Sequence, residues 1–238
     1  MNNELRDVNP YANGAAGAVE EGLIRRNSVL RNTYMLLAVS LVPTVLGAFI
    51  GLQLNLASLM RQSPGITFIV FMIGAMGMMW GIERNKNSGF GVALLLAFTF
   101  IMGLMLTGTL SLVLGMANGA SLIMLAFGGT AVIFAAMATI ATVSKRDFSS
   151  MGKWLTIGVL VLLVAAVANI FLQLSALALT VSVLAIGIFS ALMLYDVNRV
   201  VNGGETNYIS ATLAIYLDIY NVFVSLLSLL GIVGGSRD

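Results

Sequence analysis

The sequence predicts an all-α integral membrane protein with seven membrane-spanning helices. Of its 238 residues, 59% are hydrophobic and only 9% are charged, whereas a soluble domain carries about 25% charged residues. Its apolar stretches are long enough to cross a bilayer, since about 20 apolar residues form one spanning helix. Its basic residues also fall almost entirely in alternate loops. Together these observations exclude a soluble enzyme, a disordered chain and a nucleic-acid-binding domain with a basic face.

Seven apolar stretches are each long enough to span the membrane once. Two charge-free ranges, 87–144 and 154–195, hold two spans each, because polar residues divide them near Asn118 and Gln173. The spans are predicted at 32–54, 66–83, 89–114, 120–143, 153–173, 175–197 and 207–231. Runs such as 159–164 do not alternate between apolar and polar residues, which excludes the strands of a membrane barrel.

The first 30 residues are polar and contain no apolar core. A cleaved signal peptide needs such a core near its start. We therefore expect a flexible cytoplasmic tail over residues 1–30, followed by a seven-helix transmembrane domain over 31–238. The first span then acts as an uncleaved anchor.

The distribution of basic residues predicts the orientation of the chain. Loops that carry Lys and Arg remain in the cytoplasm. With seven spans, ten of the 12 basic residues lie on one side, so the N-terminus is predicted in the cytoplasm and the C-terminus outside it. The ten are Arg6, Arg25, Arg26, Arg31, Arg84, Lys86, Lys145, Arg146, Lys153 and Arg199, and the other two are Arg61 and Arg237.

The chain contains no cysteine and no histidine. Disulfides, thiol chemistry and imidazole chemistry are therefore excluded. If the protein senses pH or binds a cation, carboxylates must do so.

One face of the seventh span is polar along its length. Asp218, Asn221, Ser225 and Ser228 recur at helical spacing, so this face belongs inside the bundle or along a wet cavity. Asp218 lies about 11 residues into the span, or about 16 Å deep. A charge at that depth costs at least about 2.5–3.5 kcal/mol, which makes Asp218 a functional candidate. The alternative is a protonated Asp218 that serves as a structural hydrogen-bond donor.

A second carboxylate, Asp196, lies near the cytoplasmic end of the sixth span. Spans six and seven are antiparallel neighbours, so Asp196 and Asp218 can approach each other. Two adjacent carboxylates titrate as a unit and form a pH sensor without histidine, and carboxylates also suit Ca²⁺. Arg84 ends the second span on the same side and could lock this pair. The alternatives are a solvated Asp196 paired with Arg199, and an Arg84 that only reaches the membrane surface.

Three C-terminal segments resemble the Bax inhibitor-1 family, and most closely its bacterial YccA-like branch. They are GGETNYI at 203–209, YLDIYNVF at 216–223 and LLSLLG at 226–231. Supporting segments are VLRNTY at 29–34, GGTA at 128–131 and NIFLQL at 169–174. The resemblance extends over about residues 30–236.

This resemblance implies seven helices with the last one at the centre of the bundle. It implies that Asp196 and Asp218 form the di-aspartyl pair that responds to pH in calcium-leak members, and that Arg84 matches an arginine that latches the pair. The bacterial branch implies an inner-membrane location, with a periplasmic C-terminus. That branch also implies binding to the membrane protease FtsH.

Three functions follow as hypotheses. The first is a pH-gated leak of Ca²⁺ or another cation, with no cofactor required. The second is modulation, by inhibition, of FtsH in the lipid bilayer. The third is an intramembrane aspartyl protease, which would need a Gly-x-Gly-Asp motif. Asp218 instead follows Ile215, Tyr216 and Leu217, so we expect no enzyme activity.

Overall fold

The computed structural model describes residues 10–144, 146 and 148–235, and the side chains discussed below lie between residues 26 and 234. Within these ranges the chain forms eight helices and no strand. They are α1 (Pro10–Gln53), α2 (Leu56–Gln62), α3 (Pro64–Arg84), α4 (Gly89–Leu114), α5 (Gly119–Val143), α6 (Met151–Leu172), α7 (Ser175–Val201) and α8 (Tyr208–Gly235).

Seven of these helices are long and apolar enough to cross a membrane, which confirms the predicted number of spans. The eighth, α2, has only seven residues and lies in the connection between the first two spans. Sequence hydropathy did not reveal α2, because so short a helix has no span-length signal. The seven long helices leave many large apolar side chains exposed, such as Val132 at 69% and Val164 at 69%. Lipid tails would cover such side chains in a membrane.

The first helix begins earlier than the sequence predicted. Its spanning part is Arg26–Gln53, but the helix continues back to Pro10, into the region predicted as a flexible tail. Proline is favoured at the first position of a helix, and the Ala, Glu, Leu and Arg residues that follow are good helix formers. Residues 1–9 of the predicted tail lie outside the described residues.

Glycines bring the backbones of α1 and α4 into direct contact. A Cβ atom on Gly47 would lie 2.1 Å from the carbonyl oxygen of Phe100, and one on Gly103 would lie 2.0 Å from that of Thr44. Lipid tails are as apolar as leucine, so helices in a bilayer associate through such close packing. The α1–α4 pair is therefore a rigid part of the bundle.

The last helix, α8, packs against α1, α4, α5 and α7, while α6 packs on α7. Its fully buried side chains face these neighbours. They include Ile209, Ile215, Tyr216, Val222 and Leu227. The wide contact of α8 with the bundle shields its polar residues from lipid.

We predict that Gly103→Ala destabilises the protein by about 1–3 kcal/mol, because the new methyl group would force two helix backbones apart. Thermal unfolding of the purified protein in detergent measures this effect. The matched control is Gly77→Ala, since a Cβ on Gly77 meets nothing within 4 Å. Gly77→Ala should keep or slightly raise the melting temperature, and equal melting of the two variants would contradict close packing of α1 on α4.

Candidate functional site

Asp218 is a buried carboxyl group in the middle of the bundle. Its residue is only 4% exposed. Its Oδ2 atom finds no donor among the N–H and hydroxyl groups of the described residues. An ionised carboxylate without donors is costly to bury. Asp218 therefore needs either a proton or a nearby group that supplies one.

The structure brings Asp196 and Asp218 together across the interface between α7 and α8. The carboxyl groups of Asp196 and Asp218 lie close enough to interact directly. The two helices pack closely along their length. Two carboxylates have only acceptor oxygens, so a hydrogen bond between them requires one proton. The arrangement can therefore hold one proton between the two carboxyl groups.

The cation beside this pair is Arg199, one turn further along α7. Its Nη1 atom lies 3.7 Å from Oδ1 of Asp196, and its Nη2 atom lies 3.5 Å from Oε2 of Glu205. Its guanidinium also lies over the ring of Tyr195, 5.7 Å from the centroid. Asp196 thus has two partners: the carboxyl group of Asp218 and the guanidinium of Arg199.

The structure does not bring Arg84 to the aspartates. Arg84 is exposed at the end of α3, with its guanidinium 5.3 Å from the ring centroid of Trp80. No ion pair joins it to either aspartate in the described part of the chain. The physical reason is that α3 packs mainly on α4, whereas the pair lies between α7 and α8.

Asn207 fixes the start of α8 and joins it to the α3–α4 loop. Its Oδ1 atom accepts from the backbone N–H groups of Ile209 and Ser210, at 2.9 and 3.2 Å. Its Nδ2 atom donates to the carbonyl of Lys86 at 2.9 Å and to Oδ1 of Asn87 at 2.8 Å. Sequence reasoning did not single out Asn207, although an asparagine just before a helix is a known capping signal.

Two tyrosines anchor the opposite face of α8. The hydroxyl of Tyr216 lies 2.8 Å from Oγ1 of Thr44 in α1, and that of Tyr220 donates to the carbonyl of Met102 in α4 at 3.1 Å. The sequence did not reveal the role of these residues, because the sequence of an apolar helix does not show which neighbouring helix a tyrosine hydroxyl contacts. They hold α8 to the rigid α1–α4 pair, on the side away from Asp196.

The rest of the predicted polar face follows Asp218 along α8. Nδ2 of Asn221 donates to the carbonyl of Leu217 at 2.8 Å. Ser225 and Ser228 are half-buried. These oxygens and amides extend the polar surface from the aspartate pair toward the other end of α8.

The sequence suggested Asp196 and Asp218 as ligands of Ca²⁺. No group of three or more Asp or Glu side chains suited to a metal ion occurs among the described residues. Ca²⁺ takes six to eight oxygen ligands, and Asp196 and Asp218 supply two side chains between them. The remaining ligands of a Ca²⁺ ion would have to come from other groups or from water.

Comparison with known proteins identifies the fold. The family model described as "Inhibitor of apoptosis-promoting Bax1" matches residues 26–235. The chain belongs to the Bax inhibitor-1 family. This confirms the resemblance carried by the C-terminal segments, and it identifies a multi-pass membrane protein.

Curated relatives in this family cover nearly the whole chain. The chain is 39% identical over 217 residues to "Modulator of FtsH protease YccA" of Escherichia coli strain K12, over 91% of this chain and 94% of the relative. It is equally similar to "Inner membrane protein YccA" of Escherichia coli O6:H1. An uncharacterized protein of Neisseria meningitidis serogroup A is 37% identical over 87% of this chain and 92% of its own length.

The family match coincides with the seven spanning helices. It runs from residue 26 to residue 235, and so covers all seven of these helices. The Bax inhibitor-1 core therefore includes both aspartates, Arg199 and the Asn207 cap. The α1 extension over 10–25 lies outside the match.

Proposed function

We propose that the protein is a pH-sensitive leak for Ca²⁺ or another cation, gated by the Asp196–Asp218 pair. The observation that carries this proposal is the direct contact of two carboxyl groups between neighbouring spanning helices. This contact exists only while the pair holds a proton. The state of the α7–α8 interface is thereby linked to pH.

The energetic argument compares the pair with and without its proton. With one proton, the hydrogen bond holds α7 to α8. Without it, both carboxylates would be charged, and any two unit charges about 4 Å apart repel by about 4 kcal/mol at an effective dielectric constant of 20. Repulsion of that size is comparable to a large part of a protein's stability. Loss of the proton therefore favours separation of the two helices.

Arg199 gives Asp196 a second partner when the proton leaves. Its guanidinium already lies 3.7 Å from Asp196, so a small rotation of that carboxylate would exchange one partner for the other. We assign to Arg199 the positioning role that the sequence suggested for Arg84. The half-buried Asn221, Ser225 and Ser228 would then offer polar contacts to a cation along α8.

The structure gives no support to the protease hypothesis. Helix α8 runs unbroken from Tyr208 to Gly235, and Asp218 lies inside it. An intramembrane protease needs an opened backbone beside its aspartate to receive a peptide. Here the preceding residues Ile215 and Tyr216 are fully buried in the bundle.

We predict that Asp218→Asn removes the pH dependence of cation flux, because an amide fills the same space and cannot titrate. Asp196→Asn should do the same, and the double variant should add little. Calcium flux into liposomes containing the purified protein, measured from pH 5 to 8, tests this. Flux that keeps its full pH dependence in Asp218→Asn would refute gating by the pair.

The matched control for that experiment compares two arginines. Arg199→Gln should move the midpoint of the pH profile, since it removes the cation beside Asp196. Arg84→Gln should leave the midpoint unchanged, because Arg84 lies over Trp80 instead. A shift caused by Arg84→Gln alone would restore the latch suggested by the sequence.

A second candidate function is modulation of the membrane protease FtsH. The observation that favours it is 39% identity over 91% of the chain to a relative named as a modulator of that protease. The extension of α1 from Pro10 to the start of its spanning part offers a contact surface outside the bilayer. An inner-membrane location is proposed on the same basis.

We predict that deletion of residues 1–24 weakens modulation of FtsH while leaving the bundle intact. These residues precede the spanning helices, so melting of the protein in detergent should not change. The lifetime of a membrane substrate of FtsH in cells is the readout. The control is Asp218→Asn in the full chain, which separates loss of the leak from loss of the contact. An unchanged lifetime after the deletion would exclude the extension as the contact.

We also propose a cytoplasmic N-terminus, because ten of the 12 basic residues lie on that side of a seven-span chain. A reporter that is active only outside the cytoplasm, fused after Asp238, should be active. The matched control places the same reporter in the α3–α4 loop after Lys86, where it should be silent. The reverse pattern would invert the orientation.

A further inference from the structure

A groove opens between α2, α3 and α4, at the end of the bundle opposite the aspartate pair. Its volume is about 520 Å³. Apart from Thr67, the residues that line it are apolar or glycine, and they include Leu59, Met60, Val70 and Met105. Lining residues such as Val70, at 66% exposure, open directly toward lipid.

The length of the groove matches that of an extended acyl chain within one leaflet. Its lining residues on α3 run from Ile66 to Met78, a length of about 18 Å at 1.5 Å per residue. One leaflet of the hydrocarbon core is about 15 Å thick, so the groove has the depth of one leaflet. One extended hydrocarbon chain fits along this length, and it would be open to lipid beside Val70.

Arg61 lies in the last turn of α2, directly after the lining residue Met60 in the sequence. It is exposed, and its Nη1 atom donates to Oγ of Ser111 at 3.2 Å. No carboxylate forms an ion pair with Arg61 in the part of the chain that the structure describes. A guanidinium has five N–H donors, so most of its donors remain available to a ligand.

Arg61 is an exception to the distribution of basic residues in this chain. Arg61 belongs to the connection between the first two spans, on the side where the sequence places only two of the 12 basic residues. An arginine on the side where basic residues are disfavoured, beside a groove of leaflet depth, is complementary to a phosphate with an attached acyl chain.

We propose that the groove is a phospholipid site, in which one acyl chain lies between α2, α3 and α4 and the phosphate binds Arg61. A free phosphate would leave the apolar groove unused. A neutral lipid would leave the guanidinium without its anion. The site is independent of the proposed leak, because it shares no residue with the aspartate pair.

Gly74 provides a way to fill the groove without disturbing the fold. It is one of the lining residues, and a Cβ placed on it meets nothing within 4 Å. Gly77, one turn away on α3, has equally free space around its Cβ but does not line the groove. Gly74→Leu and Gly77→Leu are therefore a matched pair that differs in the surface each side chain covers.

The test is lipid binding to the delipidated full-length protein, followed by native mass spectrometry. The probes are dioleoylphosphatidylglycerol and dioleoylglycerol, which have the same acyl chains and differ in the phosphate headgroup. We expect Arg61→Gln to weaken binding of the phospholipid by about tenfold, the effect of losing one charge-assisted contact. Its binding of dioleoylglycerol should stay as in the wild type.

Gly74→Leu should weaken binding of both lipids, and Gly77→Leu should bind both as the wild type does. Wild-type phospholipid binding in Arg61→Gln would show that Arg61 does not hold the phosphate. Wild-type binding in Gly74→Leu, or equal loss in Gly77→Leu, would show that the groove is not the site. Each of these results would overturn the proposal.

Discussion

A carboxyl group in the interior of a membrane bundle must have a partner, and Asp218 finds that partner in Asp196. Because its Oδ2 atom has no N–H or hydroxyl donor among the described residues, the contact with Asp196 depends on a proton. The need for a polar partner explains why an otherwise apolar helix places its polar face against a neighbouring helix instead of lipid.

The rest of the bundle keeps α8 in position for this contact. Gly47 and Gly103 allow α1 and α4 to touch backbone to backbone, which gives α8 a rigid surface. Tyr216 and Tyr220 bind that surface through hydrogen bonds to Thr44 and Met102. One face of α8 is thus fixed by hydrogen bonds to that surface, and the other packs against α7 with Asp218 beside Asp196. In the proposed leak, α7 would be the helix that moves.

Hydropathy predicted the seven spans because each has a signal as long as the bilayer is thick. The antiparallel order of the last two spans was enough to suggest that Asp196 and Asp218 approach each other. Arg199 and Arg84 could not be separated in this way, since choosing between them requires knowing which helix α3 packs against. The short helix α2 and the start of α1 at Pro10 were missed because neither has an apolar pattern of span length.

The two ends of the bundle differ in what a movement of α7 would disturb. At the aspartate end, Asn207 bonds α8 to Lys86 and Asn87 in the α3–α4 loop, while Arg199 bonds Glu205 in the α7–α8 loop. Separation of α7 from α8 would therefore strain the α7–α8 loop through Arg199 and Glu205. Glu205 in turn accepts from the backbone N–H of Asn207 at 2.9 Å, so this strain reaches the α3–α4 loop. At the other end, Arg61 and the groove depend on α2, α3 and α4, and no such polar chain leads to them from the pair. A change in the protonation of the aspartate pair should therefore alter the conformation of the loops beside the aspartates and leave the groove unchanged.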